Sequence, residues 1–182
     1  VAVFHPVDND GDLDGDTPFL TSISTPAHGA VSRVGNVVVY TPTADYNVDV
    51  GGEEVLAYTI SDGLLTDVGT MTITVRAVND PPSFNAGADQ VVVEDAGAQV
   101  VPNWATDISA GPSDEDDQSV SFWVSSNDEG LFAVQPAVDP DGTLTFTSAP
   151  DANGSTTVMV SLQDDGGRER GGEDGTLVQT FA

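Results

Sequence analysis

Apolar and polar residues alternate in short runs along the whole chain, and turn-forming residues separate one run from the next. Leu56, Tyr58 and Ile60 occupy every second position of a run that ends at Ser61-Asp62-Gly63. A period of two, broken by Gly, Pro, Asn and Asp, is typical of β-strands joined by tight turns. No run has the longer period of an amphipathic helix. The pattern therefore predicts an all-β chain.

The first block of runs, up to residue 80, contains enough strands for a β-sandwich. Residues 30–34 and 37–41 flank Gly35-Asn36 and predict a hairpin, because such a pair favours a tight turn between two strands. Residues 70–76 carry apolar side chains at every second position and predict the last strand of this block.

The second block repeats this plan with longer loops. Residues 90–93 predict its first strand, and residues 158–162 predict its central strand. Residues 120–124 place apolar side chains on one face of a strand and Trp123 on the other, polar face. Each block therefore has the strand pattern of a Greek-key sandwich.

The two blocks meet at Val78-Asn79-Asp80-Pro81-Pro82. The prolines fix φ at about −65° and donate no backbone hydrogen bond, so the chain leaves the first sheet in a stiff, extended form. We therefore predict domains at 1–80 and 81–182, joined by a hinge whose oxygen ligands bind a hard cation. The first domain would be incomplete at its N-terminus, and the second would be cut within its last strand.

Charge makes cations the natural partners of this chain. It has 30 acidic residues against four basic ones and a net charge of −26, which repels nucleic acid and anionic lipid. It has no cysteine, which excludes disulfides and thiolate metal sites. No apolar run approaches the length of a membrane helix. We expect neither nucleic-acid binding nor membrane insertion.

Residues 8–16 carry the densest acidic motif of the first block. Aspartates at every second position put their carboxylates on one side of an extended loop, where they repel one another unless a cation binds. Calcium, which takes about six to eight oxygen ligands, is the natural occupant. The spacing imitates the start of an EF-hand loop, but Thr21 stands where that loop needs glutamate. The alternative is a solvated acidic loop.

Candidate catalytic residues are few. His5 and His28 have neither a second histidine nor a nucleophile beside them in the sequence. Asp114 and Asp116 could pair as acid and base of a glycosidase, but no apolar cleft is recognisable around them. Trp123 could stack on a sugar ring, and its alternative is packing beneath a loop or a neighbouring strand. We expect no enzyme.

The motifs together resemble tandem cadherin-like, or bacterial Ig-like, repeats of large bacterial surface proteins and adhesins. The first block carries the bacterial form of the pattern in Asp12-Leu13-Asp14-Gly15-Asp16, Pro26-Ala27-His28-Gly29, Tyr40-Thr41-Pro42 and Tyr58-Thr59-Ile60-Ser61-Asp62-Gly63. The second block and the joint carry cadherin-like signatures in Val78-Asn79-Asp80-Pro81-Pro82, Val93-Glu94-Asp95, Asp114-Glu115-Asp116 and Val160-Ser161-Leu162-Gln163-Asp164-Asp165-Gly166. The resemblance implies two Ig-like sandwiches with calcium at the joint between consecutive domains.

The resemblance also assigns ligands. At the joint it implies one or two calcium ions held by Asp45, Asn79, Asp80, Asp114, Asp116 and Asp164. Facing an upstream repeat it implies Asp12, Asp14, Asp16 and Asp62, and facing a downstream repeat Glu94 and Asp151. The full set of three ions is not expected, because the first block lacks an early glutamate and Asp45-Tyr46 lacks the second acid of the family motif.

The expected function is a non-catalytic, calcium-binding extender or adhesion module of a secreted or cell-surface bacterial protein. Its partners would be adjacent repeats of the same polypeptide. The alternative is a carbohydrate-binding module of a polysaccharide-associated extracellular protein, in which Trp123 contacts the glycan.

Overall fold

The computed structural model describes residues 1–182, which divide into two compact units, Val1–Ala77 (unit 1) and Val78–Ala182 (unit 2). This boundary lies slightly before residue 80, the end that the sequence predicts for the first domain. The reason is that Asn79 and Asp80 form their hydrogen bonds with residues of unit 2. None of the helices is both long and apolar enough to cross a membrane.

Unit 1 consists of two antiparallel sheets, ordered β1-β4-β3 and β2-β5-β6. Its elements are β1 Ala2–Phe4, β2 Phe19–Ile23, β3 Gly29–Val34, β4 Val37–Pro42, α1 Val48–Gly51, β5 Glu54–Ser61 and β6 Thr66–Ile73. The predicted hairpin is confirmed, since β3 pairs with β4 around Gly35, whose φ of 60° suits glycine. The predicted last strand begins earlier than expected and ends at Ile73.

The core of unit 1 lies between its two sheets. Tyr40 of one sheet packs with Leu56 and Ile73 of the other, and all three are buried. Burying a side chain such as that of Leu56 contributes about 2 kcal/mol. Val55, on the other side of β5, is exposed, because an antiparallel sheet can face solvent on one side.

Unit 2 has eight strands in three sheets, ordered β10-β13-β14, β11-β12-β8 and β7-β9. The strands are β7 Ser83–Asn85, β8 Ala98–Val101, β9 Thr106–Ser109, β10 Val120–Ser126, β11 Phe132–Val138, β12 Leu144–Ser148, β13 Val158–Asp164 and β14 Gln179–Phe181. Short 3-10 helices span Ser113–Glu115, Glu129–Leu131 and Glu169–Gly171.

A single apolar core holds unit 2 together. Leu144 and Leu162 are fully buried, and Trp104 packs its ring against that of Phe181 at 4.6 Å between centroids. Strand β13 is central, as predicted, because β10 and β14 flank it. The predicted strand at residues 90–93 is wrong: these residues pair with no strand. The chain as a whole is all-β, with only one short α-helix, and confirms the predicted Ig-like sandwich fold.

Candidate metal centre

Unit 2 buries two carboxylates, those of Glu115 and Asp164. Asp164 is the last residue of β13, and the alternation of that strand turns its side chain inward like that of Leu162. Glu115 ends the 3-10 helix Ser113–Glu115, and this tight turn directs its side chain into the unit. Buried carboxylates are costly unless donors or cations accompany them.

Asn79 connects Asp164 to the loops around it. Its Nδ2 donates to Asp164 Oδ1 at 2.9 Å and to the backbone oxygen of Glu173 at 2.7 Å. Its Oδ1 accepts a hydrogen bond from Nε2 of Gln118 at 2.7 Å. The Asn79 side chain is therefore fixed from three sides.

Glu115 is only half satisfied. Its Oε1 accepts a hydrogen bond from the backbone amide of Asp80 at 2.9 Å, whereas its buried Oε2 has no hydrogen-bond partner. Burial raises the pKa of Glu115, the Asp80 amide opposes this, and the negative charges of Asp80, Asp114 and Asp164 raise the pKa further. Oδ2 of Asp164 is likewise buried without a partner. The cluster therefore holds more acceptor oxygens than donors.

Glycines allow this close packing. A Cβ atom at Gly166 would overlap the side-chain amide of Asn79, and one at Gly111 would overlap the carboxylate of Glu115. The backbone amide of Gly166 also donates to Asp164 Oδ1 at 2.9 Å. Glycine at these two positions therefore leaves room for the side chains of Asn79 and Glu115 in their present positions.

The cluster brings together four of the residues predicted at the joint, namely Asn79, Asp80, Asp114 and Asp164. Asp116 lies outside it, exposed where the 3-10 helix ends, and makes no hydrogen bond to the cluster. The predicted ligand role of Asp116 stays a prediction.

Sequence reasoning missed Glu115, the most buried acid of the cluster. Strand-like alternation in the loop would point Asp114 and Asp116 to one side and Glu115 to the other. The 3-10 helix replaces that alternation with a turn of about three residues, which carries Glu115 inward. Pro112 and Ser113, which are typical of the start of a helical turn, are the signal that could have indicated this.

The acidic loop of unit 1 is arranged differently. Oδ1 of Asp12 accepts hydrogen bonds from the backbone amides of Asp14 and Asp16, at 2.7 Å and 3.4 Å. Asp14 and Asp16 are themselves exposed. These residues therefore form a turn that the carboxylate of Asp12 closes.

Asp62 and Asp45 also occupy turns of unit 1. Oδ1 of Asp62 accepts from the backbone amides of Leu65 and Leu64, both at 2.6 Å, and these bonds lower the pKa of Asp62. Asp45 is exposed and has a φ of 59°, in the left-handed region. A ligand role for either residue stays a prediction.

Two further predicted acids lie in unit 2 away from the cluster. Glu94 is exposed, and the backbone amide of Asp151 donates to Oδ1 of Asp95 at 3.3 Å. Their predicted role toward a downstream repeat stays a prediction.

Trp123 is exposed over 67% of its surface, so the alternative considered for it, packing beneath a loop or a neighbouring strand, is wrong. Its Nε1 donates to Oε1 of Gln163 at 3.0 Å across the neighbouring strand.

The oxygen atoms of the cluster are of the kind that calcium binds, but its acidic side chains do not come close enough together to surround an ion. All of its acceptors are oxygens, and two buried carboxylate oxygens, on Glu115 and Asp164, are without a partner. A hard divalent cation satisfies such oxygens. No three acidic or histidine side chains, however, lie close enough together to hold a metal ion. Asn79 takes part through its amide nitrogen, which donates to Asp164.

The fold defines Ig-like β-sandwich domains, and comparison with known proteins agrees for the first of them. Residues 1–74 match the family model of the bacterial Ig domain, which supports the resemblance to bacterial Ig-like repeats. Bacterial Ig domains typically occur in surface proteins, and Ig-like families are generally non-catalytic.

The chain is also similar to Protein GAMETE EXPRESSED 2 of Arabidopsis thaliana, at 31% identity over 81 residues. The match covers 44% of this chain and 8% of that protein, so the chain spans a small part of the length of this curated relative. No solved structure matches the chain.

Proposed function

We propose that the chain is a non-catalytic, calcium-binding extender module of a secreted or cell-surface protein. The observation that carries the proposal is the environment of Glu115. This carboxylate is buried, one of its oxygens lacks a partner, and the charges of Asp80, Asp114 and Asp164 act on it. A bound cation would relieve both the unsatisfied oxygen and the repulsion.

Calcium suits this site better than magnesium. It accepts six to eight oxygens at about 2.3–2.6 Å in flexible geometry, whereas magnesium demands a small octahedral site and loses its water reluctantly. The proposed ligands are the carboxylates of Asp80, Asp114, Glu115 and Asp164, which would move closer together around the ion. The amide oxygen of Asn79 would bind the ion in addition to, or in place of, its hydrogen bond from Gln118. Because the ion would bind the folded cluster and not the unfolded chain, binding would add to the stability of unit 2.

The extender role follows from where two of these ligands lie in the chain. Asn79 and Asp80 come directly after the last residues of unit 1 and directly before Pro81 and Pro82. An ion bound to them would restrain the segment that connects the two units, which the prolines already stiffen. In a protein with adjacent repeats, such restraint would favour an extended array.

Calcium should raise the melting temperature of unit 2. Both tryptophans, Trp104 and Trp123, belong to unit 2, whereas all three tyrosines belong to unit 1, so fluorescence follows each unit separately. At a calcium concentration about tenfold above its dissociation constant, the tryptophan-detected midpoint should rise by about 5 °C, and magnesium should have a much smaller effect.

The matched variants are Asp164→Asn, which should reduce the calcium shift, and Asp139→Asn in an exposed turn, which should keep it. An unchanged tryptophan midpoint in calcium and in chelator would overturn the proposed site. If calcium shifts only the tyrosine-detected midpoint, the ion binds the acidic loop of unit 1 instead.

The extender role has its own readout in small-angle scattering. In calcium the native chain should give a narrow distribution of maximum dimensions, and Asp80→Ala should give a broad one, like that of the native chain in chelator. Each unit has its own core, so both should remain folded in the variant. Equal rigidity of the variant and the native chain would mean that the prolines alone stiffen the connection.

A further inference from the structure

The outward face of the sheet β10-β13-β14 carries an exposed tryptophan at the middle of its edge strand β10. Alternation along β10 directs Phe122 and Val124 to the core and Trp123 to solvent. Trp123 pairs in register with Ser161 of the central strand β13. An indole with 67% of its surface exposed contributes little to the core, so its position calls for another explanation.

The indole ring of Trp123 has a fixed orientation and is exposed to solvent. The hydrogen bond from Trp123 Nε1 to Gln163 Oε1 orients it across the sheet. Its neighbours on β10, Ser121 and Ser125, are small, and Ser161 lies opposite. A depression of about 150 Å³ beside the ring is lined in part by Met159 and Ser161. A ring fixed before binding loses little conformational entropy when a ligand stacks on it.

This face carries no charge, although the chain has 30 acidic residues. Its outward side chains are Ser121, Trp123, Ser125, Met159, Ser161, Gln163, Val178 and Thr180. The net charge of −26 disfavours anionic ligands and also the approach of a second copy of the chain. These features favour a neutral, hydroxyl-rich ligand.

We propose that this face binds a neutral polysaccharide, with one pyranose ring stacked on the indole of Trp123. The C–H groups on one side of such a ring match the apolar, electron-rich face of an indole. The hydroxyls of Ser121 and Ser161 and the amide of Gln163 lie around the ring to hydrogen-bond the sugar hydroxyls. Gln163 is a positioning residue for the indole as well. This site is separate from the calcium cluster and does not depend on it.

The test is native affinity electrophoresis in gels that contain a soluble polysaccharide. The probes are a neutral β-glucan, a xylan and a galactomannan, with alginate as the anionic comparison. At least one neutral polymer should retard the native chain, and alginate should not. Trp123→Ala should reduce the affinity about tenfold or more. Val100→Ala changes an exposed apolar residue of the sheet β11-β12-β8 and should leave retardation unchanged.

The test has two controls, one for the folding of the variant and one for the effect of calcium. The buried Trp104 reports whether Trp123→Ala is folded, and each gel is run in calcium and in chelator. Retardation that is lost in folded Trp123→Ala supports the proposal, whether or not calcium is present. Absence of retardation by every neutral polymer overturns it, as does full retardation of Trp123→Ala. A dimer in sedimentation that depends on Trp123 would overturn it in favour of self-association.

Discussion

Each unit buries one glutamate, and the surroundings of the two differ in the number of donors they supply. Glu54 begins β5 of unit 1, and its oxygens accept from the backbone amides of Ala27 at 2.9 Å and His28 at 2.8 Å. Burial alone would raise the pKa of Glu54, but these amides and the nearby imidazole of His28 outweigh it and lower the pKa.

Glu115 of unit 2 has one amide donor for two oxygens, and three acidic neighbours instead of an imidazole. Its pKa is raised, chiefly by burial. The comparison shows that a high density of acids in the sequence does not by itself predict which carboxylate is buried with too few donors. The acidic loop of unit 1 leaves Asp14 and Asp16 in solvent, whereas Glu115 is buried with one amide donor, which favours either a proton or a bound cation.

The largest effect should come from Glu54→Gln. The glutamine has one acceptor oxygen, so one of the two backbone amides loses its partner at this partly buried site, at a cost of about 2 kcal/mol at neutral pH. A group with a lowered folded pKa stabilises the fold above its unfolded pKa, about 4.3 for glutamate, and this contribution is lost as the pH falls through the folded pKa. The difference between variant and native chain should therefore shrink in acid.

Urea unfolding followed by tyrosine fluorescence measures this change in unit 1 alone. Glu53→Gln, next to it in sequence but exposed, is the matched control and should change stability by less than about 0.5 kcal/mol. Equal effects of the two substitutions would show that the amide hydrogen bonds of Glu54 do not stabilise the turn.

Glu115→Gln should have a smaller effect of the opposite sign. With calcium removed, at neutral pH, loss of this charge should stabilise unit 2 by about 1 kcal/mol. A carboxyl with a raised folded pKa costs stability as the pH rises from its unfolded pKa through its folded pKa, because the unfolded state ionises first. The advantage of the variant should therefore vanish below pH of about 4.

Tryptophan-detected unfolding in chelator and in calcium measures this second change. The variant should gain stability in chelator and lose most of the calcium response, while Asp116→Asn, exposed beside it, should do neither. A destabilised Glu115→Gln in chelator would mean that the native cluster already satisfies this carboxylate.

Sequence alone could predict the elements whose partners are close in the chain or whose faces are clearly different. The hairpin around Gly35 and the central strand β13 are of this kind. The strand expected at residues 90–93 is absent because three consecutive valines show β-propensity but do not show whether a partner strand is available. Val91 is in fact 96% exposed.

The candidate site was predictable to a similar extent. Asp114 and Asp164 could be found through motifs, and the structure places both near Glu115. Glu115 itself could not, because its burial depends on a 3-10 turn that strand periodicity does not describe. The exposure of Trp123 depends on which strand lies beside it, and small Ser161 opposite leaves it uncovered.

The turn at Pro26-Ala27-His28-Gly29 lies at the edge of unit 1, yet hydrogen bonds and a ring contact connect it to buried side chains. Besides the bonds to Glu54, the carbonyl oxygen of His28 accepts from the hydroxyl of Tyr40 at 2.6 Å, and the His28 ring stacks on Tyr46 at 4.4 Å. Surface turns usually open in local fluctuations and exchange their amide hydrogens quickly. Here the amides of Ala27 and His28 can exchange only after their hydrogen bonds to Glu54 of β5 break. This turn should therefore belong to the slowest-exchanging part of unit 1.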